Sequence, residues 1–293
     1  MAISKLAVVS PKAELAADVE VGPFCYIGPD VRLDAGTVLH PGVTIVGCTR
    51  VGKRNTFYPN SIIGTPPQDI TYRDEPTRVE IGDDNVFREG VTVHRGTTKD
   101  AGLTRIGNRC YLMACSHVAH DCHLEDQIIF GNNVLIGGHV HVQGGVNVNG
   151  GAAIHPFTTI GRLAYVGGLT RIVQDVPPFM IVEGHPSQVR GVNVVGMQRA
   201  DLSEAVIEYM ARACRRLFPA RRRRVGSRGE GSAMTDAEGR VYRRMRPRAE
   251  VLDEMEKEGA WPDEVRFLCE FLRNSGSGRH GRYRESLRKK PPA

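Results

Sequence analysis

The sequence predicts a mainly β protein, a parallel β-helix of hexapeptide repeats followed by a small α-helical domain. Three observations predict this fold: apolar residues recur at every sixth position over most of residues 15–172, glycine accounts for 33 of 293 residues, and apolar residues take helical spacing only from about Leu202. A helix spaces apolar residues by three and four and a half-buried strand by two, so a strict period of six fits neither. Coils of short strands and turns, each burying the face of its neighbour, account for it.

The repeat forms a ladder of apolar residues in three stretches. Its members are Leu15, Val21, Ile27, Leu33, Leu39, Ile45, Val51, Phe57 and Ile63, then Ile81, Phe87 and Val93, then Ile106, Leu112, Val118, Leu124, Phe130, Ile136, Val142, Val148, Ile154, Ile160, Val166 and Ile172. The two breaks, at 64–80 and 94–105, predict loops that leave the coils. Loops on a rigid scaffold often carry ligand-binding residues.

A second inward-facing position is predicted at the fifth residue of most hexads, which is small or β-branched. Examples are Cys25, Val31, Thr37, Val43, Cys110, Ser116, Cys122, Val134, Val140, Thr158 and Thr170. Several of the seven cysteines occupy this position, so buried thiols are expected there. An odd number of cysteines without a CxxC pair predicts neither a disulfide framework nor a zinc knuckle.

The chain after the repeats is expected to be helical. Leu202, Val206, Met210, Ala213 and Leu217 recur at helical spacing, and two shorter helices are predicted at about 248–258 and 262–274. The predicted organisation is a β-helix over residues 1–190, a helical domain over 191–274 with an arginine-rich insert at about 219–247, and a disordered tail over 275–293.

Composition excludes some classes of protein and leaves others open. No apolar run approaches the ~20 residues that cross a bilayer, and the first residues lack the pattern of a secretory signal, so a cytosolic protein without membrane insertion is expected. Residues 1–190 carry 16 basic and 18 acidic side chains, whereas residues 191–293 carry 23 and 15. The two parts therefore face different surroundings.

An arginine-rich patch contributes to the positive charge of the second part. It comprises Arg215, Arg216, Arg221–Arg224, Arg243 and Arg244. A solvated face, a docking surface for an acidic partner and a nucleic-acid surface are three interpretations of such a patch. Aromatic residues that could stack on bases are nearly absent there, which disfavours nucleic acid.

The segment SHVAHDCH, residues 116–123, concentrates His117, His120 and His123 beside Asp121. If each coil holds about 18 residues, then His120, His139 and His155 lie near one edge on successive coils. Coils stack about 4.8 Å apart, whereas zinc ligands lie about 2.1 Å from the ion, so no metal site within one chain is predicted. A histidine oriented by a carboxylate at a corner can instead act as an acid or base.

The chain resembles the acyl-carrier-protein-dependent UDP-N-acetylglucosamine O-acyltransferases, which begin lipid A synthesis. The matching segments are PPQDITYRDEPTRVEIGDDNVFREGVTVHRGT, HVAHDC, GGHVHV, IHPFTTIG, QDVPPFMIVEGHP and RGVNVVGMQR. The resemblance implies a left-handed β-helix, a cytoplasmic homotrimer with active sites between neighbouring β-helices, and transfer of a 3-hydroxyacyl group from acyl carrier protein to the sugar 3-hydroxyl. No bound cofactor is implied, because phosphopantetheine arrives on the carrier.

The resemblance also implies roles for individual residues. His120 is the general base, Asp121 orients it, and the backbone N–H of Gly138 stabilises the oxyanion. The implied substrate-binding residues are Gln68, Asp69, His117, His139, His155, Gly168, Asn193 and Arg199. No role is implied for His94, His123 and His141, for which a structural or solvent-facing position is expected.

Two departures from the family pattern concern the substrate site. Thr71 stands where the family commonly has lysine, and Pro156 stands where it commonly has glutamine. Three other functions remain open from the residues: N-acylation of a 3-amino sugar nucleotide, a zinc hydratase with its metal between subunits, and a scaffold without enzymatic activity.

Overall fold

A computed structural model shows a three-faced parallel β-helix capped by α-helices. The structure describes residues 2–219, 233–235, 241–243 and 246–287. The run Arg221–Arg224, most of the predicted insert and the last six residues lie outside the described residues. No helix in the described part of the chain has the length and hydrophobicity needed to span a membrane.

Each face of the β-helix is one sheet, whose strands come from successive coils. The first sheet contains β1 (Ala2–Ile3), β4 (Glu20–Val21), β7 (Val38–Leu39), β10 (Thr56–Phe57), β13 (Val86–Phe87), β16 (Tyr111–Leu112), β19 (Ile129–Phe130), β22 (Asn147–Val148), β25 (Tyr165–Val166), β27 (Met180–Glu183) and β28 (Gln188–Val192). Only β27 and β28 pair antiparallel within it, and this hairpin leads the chain towards the helices.

The other two sheets are wholly parallel. The second contains β2 (Val8–Val9), β5 (Tyr26–Ile27), β8 (Thr44–Ile45), β11 (Ile62–Thr65), β14 (Thr92–His94), β17 (His117–Val118), β20 (Leu135–Ile136), β23 (Ala153–Ile154) and β26 (Arg171–Ile172). The third contains β3 (Glu14–Leu15), β6 (Val31–Leu33), β9 (Cys48–Val51), β12 (Arg78–Ile81), β15 (Leu103–Ile106), β18 (His123–Leu124), β21 (His141–Val142) and β24 (Thr159–Ile160).

The apolar ladder forms the core, as the period of six predicts. All ladder residues from Val21 to Ile172 are at most 4% exposed, and Leu15, in an outer coil, is partly buried. Phe57 and Phe87 stack on successive coils with ring centroids 4.6 Å apart. The fifth-position residues are buried as well, including Cys25, Cys110 and Cys122.

The two loops are shorter than the breaks in the ladder indicate. They cover residues 66–77 and 95–102, here called the first and second loops, rather than 64–80 and 94–105. The difference arises because β9, β12 and β15 each have four residues and pair side by side, so strand pairing extends into the bases of both loops.

The helical domain contains α1 (Val194–Arg199), α2 (Glu204–Leu217), α3 (Arg248–Glu258), α4 (Asp263–Ser277) and α5 (Tyr283–Ser286). A two-stranded antiparallel ribbon, β29 (Ala233–Thr235) and β30 (Val241–Arg243), lies between α2 and α3 in the chain. Ser203 caps α2 by accepting a hydrogen bond from the Val206 N–H. The sequence did not reveal α1, because six residues are too few for a helical period to be recognised.

The tail differs from the predicted disordered segment. Residues 278–287, here called the C-terminal strap, follow α4 and lie against the β-helix. The guanidinium of Arg282 is buried and donates to the Val173 carbonyl at 2.6 Å, and the Tyr283 N–H donates to Asp175 at 2.9 Å. Composition predicts disorder in such a polar segment, but these buried polar contacts order it.

Candidate functional site

The corner between β17 and β18 carries His120 and Asp121. Adjacent residues on a flat strand point to opposite faces, but Asp121 adopts a left-handed backbone conformation with φ of 59°, and both side chains turn to one side. The His120 Nδ1–H donates to Asp121 Oδ2 at 2.8 Å. Asp121 is 4% exposed, so this carboxylate orients the imidazole from a buried position.

Thr97 of the second loop fixes the carboxylate of Asp121. Its N–H donates to Oδ1 at 2.8 Å and its hydroxyl donates to Oδ2 at 2.7 Å. The Asp121 N–H in turn donates to Thr104 Oγ1 at 2.9 Å. With Nδ1 of His120 bound to this carboxylate, the Nε2 atom is left to accept a proton. The sequence predicted that Thr97 lies within a loop over residues 94–105, but nothing in the pattern singled this residue out.

Gly138 lies directly against the ring of His120. A β-carbon at residue 138 would be 2.5 Å from His120 Cε1 and 2.7 Å from Nε2, closer than any real contact allows. Glycine is therefore required by the close approach of the imidazole. The Gly138 N–H has no hydrogen-bond acceptor among the described residues, and Gly138 itself is buried beside the imidazole.

His139 lies next to this pair, with its ring centroid 5.2 Å from that of His120. Its Nδ1–H donates to Asp100 Oδ2 at 3.2 Å, and its ring stacks on Phe157 at 4.3 Å. Burial lowers the pKa of His139, although the carboxylates of Asp121 and Asp100 act in the opposite direction. A neutral His139 can therefore accept a hydrogen bond through Nε2.

Two further histidines line the same face. A 2.7 Å hydrogen bond joins His117 Nδ1 to Thr92 Oγ1, and burial lowers the pKa of His117. His94 meets the ring of His117 edge-on at 4.8 Å and is 6% exposed. Burial lowers the pKa of His94 to about 4. The residue is thus a buried neutral imidazole behind the site, in line with the structural position expected for it.

Asp69 of the first loop is held by a cation from the second loop. Lys99 Nζ lies 2.5 Å from Asp69 Oδ2, and the N–H and hydroxyl of Thr71 donate to Oδ1 at 2.9 and 2.8 Å. Lys99, and then Thr71, hold the pKa of Asp69 well below its usual range. Lys99, thirty positions from Asp69 in the chain, thus provides positive charge near Thr71. Gln68, which precedes Asp69, is exposed.

The remaining predicted residues, here called the His155 group, are His155, Gly168, Asn193 and Arg199. The His155 Nδ1–H donates to the Pro156 carbonyl at 2.8 Å, and His155 lines a cavity of about 240 Å³ with Leu169 and Arg171. Gly168 is exposed beside Leu169. Asn193 and Arg199 belong to the start and the last turn of α1.

The side chain of Asn193 is engaged within the fold. Its Oδ1 accepts from the Gly196 N–H at 3.0 Å, and its Nδ2 donates to the Leu163 carbonyl at 2.8 Å. Binding of a nucleotide by this amide would require one of these contacts to open. Arg199 is exposed and forms no ion pair with any described residue.

Of the three histidines predicted to share one edge, the rings of His120 and His139 lie together and that of His155 lies apart from them. Residues 18 apart pair across this part of the coil, so His139 is level with Asp121, and His155 is level with Gly137. The His155 ring has no contact with His120 or His139 among the described residues. Spacings of 19 and 16 residues therefore bring the backbones to one edge without bringing all three rings together.

One group of side chains in the described chain could hold a metal ion, namely His120, Asp121 and His139, whose nearest ligand atoms lie within 4.8 Å of one another. Both oxygens of Asp121 already accept hydrogen bonds from Thr97, and Oδ2 also accepts from His120. The donors around this carboxylate make the group a hydrogen-bond network rather than a prepared set of metal ligands.

Comparison with known proteins gives one consistent family. A family model described as UDP-N-acetylglucosamine O-acyltransferase, domain 2, matches residues 175–224. The acyl-[acyl-carrier-protein]–UDP-N-acetylglucosamine O-acyltransferase of Syntrophobacter fumaroxidans is 46% identical over 219 residues, which cover 74% of this chain and 85% of that protein.

Solved structures agree with this relationship. The UDP-N-acetylglucosamine O-acyltransferase of Moraxella catarrhalis is 33% identical with a TM-score of 0.80, covering 92% of this chain and 96% of that one. The acyltransferase of Bacteroides fragilis is 29% identical with a TM-score of 0.81, covering 93% and 97%. The chain belongs to the UDP-N-acetylglucosamine O-acyltransferase family.

Proposed function

We propose that the protein transfers a 3-hydroxyacyl group from acyl carrier protein to the 3-hydroxyl of UDP-N-acetylglucosamine, the first step of lipid A synthesis. One observation carries the proposal: the imidazole of His120 is bonded through Nδ1 to a buried carboxylate, and its ring lies against Gly138, whose N–H has no acceptor among the described residues. A general base and an oxyanion donor at one point are what acyl transfer to a hydroxyl requires.

The reaction balances with these two groups. His120 Nε2 takes the proton from the sugar 3-hydroxyl as its oxygen attacks the thioester carbonyl, and Asp121 stabilises the imidazolium that forms. The Gly138 N–H donates to the carbonyl oxygen as negative charge develops on it. Collapse of the tetrahedral intermediate breaks the carbon–sulfur bond, and His120 returns the proton to the departing thiolate. The products are the 3-O-acylated sugar nucleotide and the free thiol of the carrier.

The proposed substrate contacts follow the two groups of residues. Asp69, Gln68, His117 and His139 surround the sugar end, and the Lys99 ammonium holds the Asp69 carboxylate in place there. His155, Gly168, Asn193 and Arg199 are assigned to the nucleotide and the acyl arm. No cofactor is bound in this proposal, since phosphopantetheine is part of the acyl carrier.

The assembly is proposed to be a homotrimer in the cytoplasm. Exposed apolar residues on the outer side of the second sheet support an interface between copies, namely Val8, Tyr26, Ile62 and Leu135. All seven cysteines are free thiols, which supports a reducing compartment. The trimer would bring the His155 group of one chain to the His120 corner of another.

Product analysis tests the proposed reaction. Purified protein is incubated with a 3-hydroxyacyl carrier protein and either UDP-N-acetylglucosamine or its 3-amino analogue, and the products are identified by mass spectrometry. We expect an ester on the 3-oxygen of UDP-N-acetylglucosamine. Exclusive N-acylation of the amino sugar, or no transfer to either sugar by folded protein, would contradict the proposal.

A further inference from the structure

The C-terminal strap reaches the catalytic corner through one side chain, Arg284. Its Nε–H donates to the carbonyl oxygen of His139 at 3.2 Å, although the two residues are 145 positions apart. Its Nη2 atom lies 4.0 Å from Asp100 Oδ2, the atom that accepts from His139 Nδ1. Arg284 therefore holds the backbone of His139 and faces the carboxylate that holds its ring.

The strap is anchored independently of Arg284. The buried Arg282 guanidinium is bonded to the Val173 carbonyl and to Glu285, and Asp175 accepts from the N–H groups of Thr159 and Tyr283. The Asp175 N–H donates to the Gly281 carbonyl at 2.8 Å. These contacts fix the strap on the last coils, so that Arg284 is presented to His139 from a rigid support.

The position of His139 affects the catalytic carboxylate directly. Its Nε2 lies 3.7 Å from Asp121 Oδ2, just beyond hydrogen-bond distance, while His120 Nδ1 lies 2.8 Å from the same oxygen. A small rotation of the His139 ring would place it within hydrogen-bond distance of this oxygen. Neutral His139 has one ring N–H, at Nδ1, and donates it to Asp100. Its Nε2 then has no proton to donate to Asp121, which opposes that rotation.

We propose that Arg284 and Asp100 are positioning residues for acyl transfer, which keep His139 from competing with His120 for Asp121. This inference rests on the proposed function. Neither residue need touch the substrate, because both act through His139. When either contact is removed, the carboxylate is shared between two imidazoles, and His120 loses part of its orientation and basicity. A misplacement of about 1 Å can lower the rate about 10²-fold, so a smaller displacement of the His120 ring is expected to lower turnover about tenfold.

The test compares steady-state kinetics of wild type, Arg284→Gln, Arg284→Lys, Asp100→Ala, the double variant Asp100→Ala/Arg284→Gln, and the control Arg279→Gln. Arg279 lies in the same strap, but its side chain is 71% exposed. We expect Arg284→Gln and Asp100→Ala each to lower kcat about tenfold, with a smaller rise in KM for the sugar nucleotide, because His139 also lies at the sugar end. Arg284→Lys should retain most of the kcat, and the double variant should be no slower than the slower single variant.

Each outcome separates this inference from the function on which it rests. Absence of transfer by wild type would refute the proposed function before any variant is considered. Wild-type kcat in Arg284→Gln, or an equal loss in Arg279→Gln, would overturn the positioning role. If Arg284→Gln fails to fold, Asp100→Ala decides, because Asp100 lies in the second loop and takes no part in the bonds of Gly281, Arg282 and Tyr283 that anchor the strap. Unchanged kcat in Asp100→Ala would then overturn it.

Discussion

Two histidine–carboxylate pairs with the same 2.8 Å hydrogen bond lie close together in this molecule, yet they are built for different purposes. His120 binds Asp121 through Nδ1, whereas His141 binds Glu125 through Nε2. The side chain of Asp121 is 1% exposed, and that of Glu125 is 41% exposed. In the first pair the Nε2 atom of the ring is left to react, whereas in the second pair Nε2 is bonded to Glu125.

Their neighbours widen the difference. The ring of His120 occupies the space left by the missing side chain of Gly138, whereas His141 stacks on His123 with ring centroids 4.9 Å apart. Glu125 also accepts from the Gly144 N–H at 2.9 Å, so the second pair joins coils of the β-helix. A histidine–carboxylate pair thus becomes a general base through the nitrogen it leaves available and the space beside that nitrogen.

The largest effect is expected from removing the first imidazole. His120→Ala should lower kcat by about 10²–10⁴-fold, because it removes the group that accepts the proton of the sugar hydroxyl in the proposed mechanism. His141→Ala should keep kcat within about tenfold of wild type, since its imidazole serves the fold. Acyl transfer by the two variants is measured side by side, together with their melting temperatures. Equal losses of kcat in two folded variants would remove the distinction between the pairs.

Space beside the base is tested by Gly138→Ala. The added methyl group would overlap the His120 ring, and displacement of the ring by about 1 Å should lower kcat by about 10²-fold. Gly144→Ala is the matched control, because its nearest contact would be an ordinary 3.6 Å to the Asp126 carbonyl. A Gly138→Ala enzyme with normal turnover would show that the ring does not need this gap.

A smaller effect is expected at the first loop, where Lys99 meets Asp69. Lys99→Gln should raise KM for the sugar nucleotide about tenfold at low ionic strength and less at high salt, because a charge is lost beside Asp69. Adding Thr71→Lys to Lys99→Gln should restore KM if charge alone is required. Lys12→Gln, which removes an exposed lysine outside the two loops, is the control for the loss of one positive charge. An unchanged KM in Lys99→Gln would exclude Lys99 from the sugar site.

The smallest effect concerns stability. Because the pKa of His94 in the folded protein is about 4, below its ordinary value of 6.5, the neutral form favours the fold. This contribution is fully present above pH 6.5 and is lost as the pH falls towards 4, and the total loss of stability is at most about 3 kcal/mol. His94→Gln should therefore lose less stability in acid than wild type, whereas exposed His280→Gln should behave as wild type. Denaturant unfolding at pH 7 and pH 4.5 measures both.

The fold was accessible from the sequence because each coil repeats one local rule. Apolar residues at every sixth position face inward wherever the chain continues, so the ladder up to Ile172 and the two loops follow from short-range pattern alone. The family resemblance led to His120, Asp121 and Gly138 as candidates. The structure then supplies a physical reason for Gly138, which is the close approach of the His120 ring.

The supporting contacts were not accessible in this way. Thr97, Lys99 and Asp100 lie in a loop without periodicity, and each contacts a residue between 24 and 39 positions away. Arg284 contacts a residue still more distant, from a tail whose polar composition indicates disorder. Such contacts depend on where loops and ends fall in space, which hexad spacing does not encode.

Nitrogen-15 spectra of protein labelled in its histidine rings show directly which ring nitrogen carries the proton and which is free to accept one. Signals of the two pairs are assigned with His120→Gln and His141→Gln. At a pH where both rings are neutral, we expect His120 to carry its proton on Nδ1 and its lone pair on Nε2, whereas His141 carries its proton on Nε2. A proton on Nε2 of neutral His120 would contradict its role as the base.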